Sequence, residues 1–317
     1  MKQTLQALFT YGQETLKQQG NPEPELDAKY LLLEAFHTDM VHFLMDRNRE
    51  LPDAQEIRRM TERYQEMIGQ RARRIPLQQI LGTQDFMGLS FVVNRYVLIP
   101  RQDTETLVEL VLKEHPGKGE RILDLCTGSG CIAISLAALG NYGPITAVDL
   151  SQEALKVAAE NCRRLLKEKG RVTLLQGDLF EALRGAVKEP AEGSRSGEPG
   201  TETSCSGFQA ETEGFDILVS NPPYIPTQVI QGLEPEVRDY EPRMALDGSE
   251  DGLEFYRRIA AESPAYLKQG ASVYLEIGYD QGDAVRKLLE QAGFIDVQII
   301  KDAPGNDRVA AACWHRP

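Results

Sequence analysis

The feature that most constrains the fold is an alternation of short apolar runs with helical patterns after residue 103. The runs have the length and residue types of buried strands. They cover about residues 121–125, 145–149, 172–176, 215–220, 271–277, 294–300 and 308–314, and a helix is predicted at about 104–114. Seven strands alternating with helices predict an α/β fold with a doubly wound sheet. The last two strands are joined by residues 303–307, a link too short for a crossover, which predicts an antiparallel final strand.

The chain divides into segments of different character. Residues 1–74 carry apolar residues at helical spacing and predict an N-terminal helical bundle. Residues 75–98 predict a linker with a β-hairpin, because Gly88 lies between two runs of apolar β-formers. Residues 99–317 form the predicted α/β domain. Within it, residues 188–214 are rich in Gly, Ser, Glu and Pro, which predicts a disordered surface insertion.

Composition argues against several classes of protein. The 48 acidic and 35 basic residues give a formal net charge of −13. Because nucleic-acid binding rests on phosphate neutralisation by basic residues, this charge argues against direct stable binding to DNA or RNA. The sequence has neither a run of 18 apolar residues nor a signal-peptide pattern, so we expect a cytoplasmic protein without a membrane partner. The five cysteines include no CxxC pair and the four histidines no HExxH pattern, so no metal site is predicted.

One basic cluster stands out against this acidity. It is compatible with a solvated helix face or with a docking surface for an RNA-associated partner. Its members are Arg58, Arg59, Arg63, Arg71, Arg73 and Arg74.

The tetrapeptide Asn221-Pro222-Pro223-Tyr224 follows the predicted strand at 215–220, at the edge where open α/β sheets bind ligands. Because proline lacks a backbone N–H group, Pro222 and Pro223 form a turn that offers carbonyl oxygens without competing donors. With the Asn221 side-chain oxygen, this turn can bind both hydrogens of a planar NH₂ group, and Tyr224 can stack on the group that carries it. A Pro-rich turn that only ends a strand is the alternative.

Residues 122–133 have the pattern of strand, glycine turn and helix. Gly128 and Gly130 let the backbone approach a ligand at the helix N-terminus. Asp149 ends the next strand, where an acid can accept from both ribose hydroxyls. Asp178 ends the third strand and could accept from an adenine amino group, with Leu179 or Phe180 packed on the ring.

Apart from a glycine turn that binds no ligand, this cofactor pattern has two interpretations. Gly128-x-Gly130-x-x-Ala133, with an acid about 20 residues further on, also fits the dinucleotide fingerprint of a nicotinamide enzyme. The antiparallel seventh strand and the NPPY tetrapeptide favour S-adenosylmethionine, because NPPY suits amine methylation and has no evident role in hydride transfer.

Together these motifs resemble the HemK/PrmC family of protein-(glutamine-N5) methyltransferases, which act on class I peptide chain release factors. The resemblance covers nearly the whole chain. It is carried by NPPY, by the glycine turn at 124–130 and by the segment at 100–105, which combined are far more specific than NPPY alone. Further matching segments are Pro76-Leu77-Gln78-Gln79-Ile80-Leu81-Gly82, Tyr240-Glu241-Pro242 and Leu275-Glu276-Ile277-Gly278-Tyr279.

The resemblance implies a cofactor and a role for each site residue. S-adenosylmethionine would lie with its ribose on Asp149 and its adenine beside Leu179, where some family members have Trp. Its methionine part would be cradled by Cys126, Thr127, Gly128, Ser129 and Gly130. The substrate glutamine would be bound by Asn221, Pro222, Pro223 and Tyr224. Of these, Asn221, Pro222 and Tyr224 are the predicted catalytic residues, and Asn221 would also border the cofactor. The helices of residues 1–74 carry no catalytic pattern and would dock the substrate protein.

Two residues before the first helix of the α/β domain have open roles. Arg101 and Glu105 could line the cofactor or the substrate entrance, or they could serve only the helix end, where an acid is favoured by the dipole.

Other functions remain open from the sequence alone. A methyltransferase acting on ribosomal protein glutamine or on a nucleic-acid amine is one alternative, and a non-catalytic module that keeps the fold is another. Intact Gly128, Gly130, Asp149 and NPPY weigh against the second.

Overall fold

The computed structural model describes residues 3–117, 119–168, 170–184 and 214–315. Its α-helices are α1 (Leu5–Gln18), α2 (Pro24–Ala35), α3 (Met40–Asp46), α4 (Gln55–Ala72), α5 (Leu77–Leu81), α6 (Gln102–Glu114), α7 (Cys131–Leu139), α8 (Gln152–Leu165), α9 (Glu181–Arg184), α10 (Pro235–Arg238), α11 (Glu254–Glu262) and α12 (Gly282–Gln291). Its strands are β1 (Thr83–Phe86), β2 (Leu89–Val92), β3 (Ile122–Leu125), β4 (Ile145–Asp149), β5 (Val172–Gln176), β6 (Phe215–Ser220), β7 (Leu267–Glu276), β8 (Phe294–Lys301) and β9 (Asp307–Trp314).

The chain separates into two compact units. The helical unit comprises Met1–Thr83, Val93–Arg95 and Gly232–Glu241, and the sheet unit comprises Gln84–Val92, Tyr96–Gln231 and Pro242–Pro317. All but one residue of the predicted insertion at 188–214 lie outside the described residues; the exception is Gly214. In the part of the chain that is described, no helix is long and apolar enough to cross a membrane.

In the helical unit, the apolar sides of α1, α2 and α4 face one another. Leu16, Leu31 and Ile68 are fully buried there. Thr4 caps α1 by accepting from the Ala7 amide, as expected of an N-cap threonine. Gly12 permits the close approach of α1 to α4, because a Cβ at this position would lie 2.0 Å from the Tyr64 hydroxyl.

Two arginines of the predicted basic cluster form ion pairs inside the helical unit. Arg71 is buried and contacts Asp27 at 2.6 Å and Glu236 at 2.9 Å. Arg74 contacts Glu236 at 2.6 Å and the exposed Glu234 at 3.2 Å. These guanidinium groups fix the segment around α10 to α4, which is a structural role that the sequence did not indicate.

The sheet unit contains a seven-stranded sheet in the order β5-β4-β3-β6-β7-β9-β8. Strands β3 to β7 run parallel to one another, and β9 is antiparallel to both β7 and β8. The predicted doubly wound fold with an antiparallel final strand is therefore confirmed. Because both faces of the central strands are covered by helices, β3 is buried along its whole length. Its residues are apolar except for Asp124, which is buried as well.

Candidate active site

A cavity of about 290 Å³ opens at the carboxyl ends of the parallel strands of the sheet unit. This edge is where ligands bind in open α/β sheets, since the strand order reverses there. The turns after β3, β4, β5 and β6 all contribute to its wall. Among the predicted site residues, the lining includes Cys126, Thr127, Gly128, Ser129, Asp149, Asp178, Leu179, Asn221 and Pro223.

The turn after β3 is built from residues with left-handed backbone. Cys126, Gly128 and Gly130 have φ of 61°, 55° and 80°. Gly128 faces open space in the cavity wall, so its backbone is available to a ligand. Gly130 does not line the cavity; a Cβ there would lie 2.8 Å from Ile134, so this glycine lets the turn pack on α7.

The buried carboxyl group of Asp124 stabilises the turn after β3. Asp124 is fully buried in β3 and accepts from the Thr127 hydroxyl at 2.6 Å. Burial raises the pKa of Asp124 to about 7, against the lowering effect of that hydrogen bond. The arrangement fixes Thr127 at the cavity wall.

Asp149 ends β4 and lines the cavity. Its carboxylate accepts from the Gly128 amide and from the Ser151 amide, both at 2.8 Å. Burial raises the pKa of Asp149, and the two backbone donors oppose this shift. The side chain is thus oriented by backbone groups on both sides, and a carboxylate has lone pairs left for the hydroxyl donors of a ribose.

The far end of the cavity is formed by the turn after β5. Leu179 is buried with a φ of 48° and offers an apolar wall. Asp178 forms an ion pair of 2.9 Å with Arg258 of α11, and Arg258 and Phe255 also line the cavity. Arg258 and Phe255 escaped the sequence analysis, because nothing in the sequence of α11 relates it to the turn after β5.

The NPPY turn after β6 divides between the cavity and the interior. Asn221 and Pro223 line the cavity, whereas Pro222 is buried outside the lining. The Asn221 Nδ2 group donates to Thr104 Oγ1 at 3.4 Å. Tyr224 also lies outside the lining; its hydroxyl donates to Glu276 Oε1 at 3.4 Å, and its carbonyl accepts from Gln281 Nε2 at 3.0 Å.

The segment at 100–105 supplies residues of two kinds. Arg101 and Thr104 line the cavity. Glu105 lies outside the lining and accepts from the Met87 amide at 2.6 Å, in the turn between β1 and β2 where Met87 has a φ of 50°. The carboxylate of Glu105 therefore stabilises a strained turn. The described residues contain no group of three or more His, Cys, Asp or Glu side chains placed to hold a metal ion.

Comparison with known proteins identifies the family. The domain family described as PrmC N-terminal domain matches residues 7–82, and a methyltransferase domain family matches residues 122–189. The release factor glutamine methyltransferase of Geobacter sulfurreducens is 37% identical over 96% of this chain and 95% of its own length. That of Caulobacter vibrioides is 39% identical over 98% of this chain and 96% of its own length. The chain belongs to the release factor glutamine methyltransferase family.

The chain is also similar to a protein of known structure. The protein-(glutamine-N5) methyltransferase (release factor-specific) from Alicyclobacillus acidocaldarius is 30% identical, covers 69% of this methyltransferase and 95% of its own chain, and has a TM-score of 0.36. The predicted family is confirmed by the sequence relatives, which decides between the two interpretations of the glycine turn in favour of a methyltransferase.

Proposed function

We propose that this methyltransferase transfers a methyl group to the side-chain nitrogen N5 of the glutamine in the Gly-Gly-Gln motif of class I peptide chain release factors. One observation carries the assignment of the site. The side chain of Asn221, which can bind an amide, lines the same cavity as Asp149 and the glycine turn, which can bind a nucleoside. The family relationship supports a release factor as the substrate protein.

The family uses S-adenosylmethionine, and the residues of the cavity fit it. Gly128 leaves open space for a ligand beside the backbone, and Asp149 presents an oriented carboxylate for the ribose hydroxyls. Leu179 and Phe255 offer apolar surface for an adenine ring, and Asp178 offers an acceptor for its amino group. When bound, the cofactor supplies an electrophilic sulfonium methyl group.

The chain must make a poor nucleophile react. The lone pair of an amide nitrogen is delocalised into its carbonyl group. In our proposal the Asn221 side-chain oxygen and the Pro222 carbonyl accept the two amide hydrogens, which raises the electron density on nitrogen and aims it at the methyl group. Tyr224 lies outside the cavity lining, so in our proposal it holds the turn through Glu276 rather than stacking on the amide. As the N–C bond forms, the bond between the methyl group and the sulfonium sulfur breaks, which leaves a neutral thioether. The nitrogen then gives up one proton to water. No general base is assigned in this step, so catalysis rests on positioning and electrostatics.

Mass spectrometry of a recombinant release factor, after incubation with this protein and S-adenosylmethionine, tests the proposal. We expect a gain of one methyl group on the glutamine of Gly-Gly-Gln, and no gain when that glutamine is replaced by alanine. An unmodified release factor, with cofactor binding confirmed by calorimetry, would contradict the proposed substrate. Ribosomal protein glutamine and nucleic-acid amines would then be tested in the same assay.

A further inference from the structure

A buried carboxylate lies directly behind the NPPY turn and is not used in the chemistry proposed above. Glu276 ends β7, and its side chain is 1% exposed. Its Oε1 accepts from the Tyr224 hydroxyl, the last residue of the turn. Its Oε2 is buried and makes no hydrogen bond of regular geometry within the described residues. Burying an acceptor without a hydrogen bond costs free energy, so a donor is expected close to Glu276 Oε2.

The Thr104 hydroxyl is the candidate donor to this carboxylate. Burial raises the pKa of Glu276 to about 7. Thr104 has the largest lowering effect on this pKa, and Arg308 has the next largest. Thr104 is 2% exposed in the first turn of α6, and its Oγ1 already accepts from Asn221 Nδ2. Because a threonine hydroxyl has one proton, that proton is free to point toward the carboxylate.

The order of donors and acceptors then fixes the amide of Asn221. An ionised carboxylate only accepts, so a Thr104 hydroxyl that turns toward it donates and must accept on its other side. The group that donates to Thr104 is Nδ2 of Asn221. The opposite side of that amide is Oδ1, the atom needed to accept a hydrogen from the substrate amide. Without this order, both orientations of an asparagine amide have similar shape and only one is productive.

We propose, resting on the function proposed above, that Glu276 and Thr104 are positioning residues that orient Asn221 Oδ1 toward the substrate glutamine. Tyr224, at the other end of the NPPY turn, donates to Glu276, while Asn221 donates to Thr104. The two ends of the turn therefore depend on this pair of residues. Neither residue touches the reacting atoms in this account; each acts through its neighbour. Arg308 supports the ionised state of Glu276 and is itself held by Asp302 and Asp103, both at 3.1 Å.

Two substitutions of the hydroxyl separate orientation from packing. Thr104→Val keeps the shape and removes the donor, whereas Thr104→Ser keeps the hydroxyl and removes a methyl group. At pH 8, which is above the pKa of about 7 of Glu276, we expect Thr104→Val to lower kcat at least about tenfold, since misplaced catalytic groups cost about 10² in rate. The dissociation constant for S-adenosylmethionine should stay within about twofold. Thr104→Ser should restore most of the lost rate. Thr146→Val, the same change at a buried threonine of β4 outside the cavity lining, serves as the control.

Glu276→Gln tests the other end of the chain of hydrogen bonds. Glutamine fills the same volume, and because burial favours the neutral carboxyl, the neutral amide is expected to fold. Its NH₂ group can donate to Thr104, which would reverse the order and turn Asn221 Nδ2 toward the substrate. We expect a loss of kcat as large as that of Thr104→Val.

A double-mutant cycle with Asn221→Ala decides between coupling and independent damage. If Thr104 acts through Asn221, the double variant is no slower than Asn221→Ala alone. Multiplied losses, a serine variant as slow as the valine variant, or equal losses in kcat and cofactor affinity would each overturn the proposal. A wild-type protein that methylates no release factor would instead contradict the proposed function, so the two failures are distinguishable.

Discussion

At the scale of single residues, Asn221 carries the chemistry of the proposed reaction. Its side chain lines the cavity and has no other described hydrogen bond than the one to Thr104. Asn221→Ala removes an acceptor that matters most when charge develops on the substrate nitrogen, so we expect kcat to fall about 10²–10³-fold, the loss typical of one oriented polar group. The dissociation constant for S-adenosylmethionine, measured by calorimetry, should change only a few-fold.

The matched control for this prediction is Asn161→Ala, because Asn161 is a buried asparagine of α8 that binds the Ser129 carbonyl and the backbone of Val92. Asn161→Ala should lower the melting temperature, whereas the rate per folded molecule should change little. Near-normal turnover of Asn221→Ala would contradict the role assigned to NPPY.

The residues predicted from the sequence are those whose role is local. Gly128, Asp149 and Asn221 lie at the end of a strand or in the turn after it, so the position of each in the chain indicates its position at the edge of the sheet. The roles of Thr104, Arg258 and Glu276 depend on partners between 52 and 172 positions away in the chain, as the pairs Tyr224–Glu276 and Thr104–Glu276 illustrate. Local propensity and periodicity cannot predict contacts between residues so far apart in the chain. Thr104 and Glu276 nevertheless lie in segments that carry the family resemblance.

At the scale of elements, the ion pairs of α4 with α10 make the clearest prediction. Glu236 is 15% exposed and is bound by both Arg71 and Arg74. Glu236→Gln leaves the buried Arg71 guanidinium with Asp27 as its acidic partner, so the loss of stability should be smaller than the roughly 3 kcal/mol that an uncompensated buried charge costs. We expect a lower free energy of unfolding in urea titrations at pH 7. Glu234→Gln, at the 77% exposed partner of Arg74, should cost less than about 0.5 kcal/mol.

The same pair predicts a dependence on pH. Burial raises the pKa of Glu236, but hydrogen bonds from Arg74 and Arg71 outweigh it and leave the pKa below its usual value of 4.5. A carboxyl with a lowered pKa contributes stability above pH 4.5 and loses it as the pH falls through the folded-state pKa. The difference in stability between the wild type and Glu236→Gln should therefore shrink below pH 4.5. A constant difference across that range would contradict the ionic account.

The predictability of elements follows the same physical division. The predicted bounds of β4, β5 and β6 agree with the structure, because each is an apolar run between turn residues. β7 begins at Leu267, four residues before its predicted start at 271. The glycine at 270 has a φ of 78° and marks an irregularity in the pairing with β6, so a strand continues through a residue that normally indicates a turn.

At the scale of the whole molecule, the question is how one glutamine is selected within a large substrate protein. We propose that the helical unit docks the release factor, as its sequence predicts. The short helix α3 exposes Val41, Leu44 and Met45 by 64%, 53% and 76%, while Phe43 anchors it in the core of its unit. Adjacent exposed apolar side chains on one helix are typical of a protein-binding surface. Removal of residues 1–74 is a poor test, because it would also strip Glu236 of Arg71 and Arg74.

Substitution of Val41, Leu44 and Met45 by serine in the full chain tests docking directly. If the release factor covers these side chains, the loss of buried apolar surface should raise KM for the whole protein about tenfold, the equivalent of ~1.4 kcal/mol. KM for a short Gly-Gly-Gln peptide and kcat for both substrates should stay unchanged, since the cavity lies in the sheet unit. Serine at Leu139 and Ile295, two exposed apolar residues of the sheet unit, controls for general loss of apolar surface. Equal rises in KM for protein and peptide would contradict docking by α3, because a defect shared by both substrates belongs to the site that binds the glutamine.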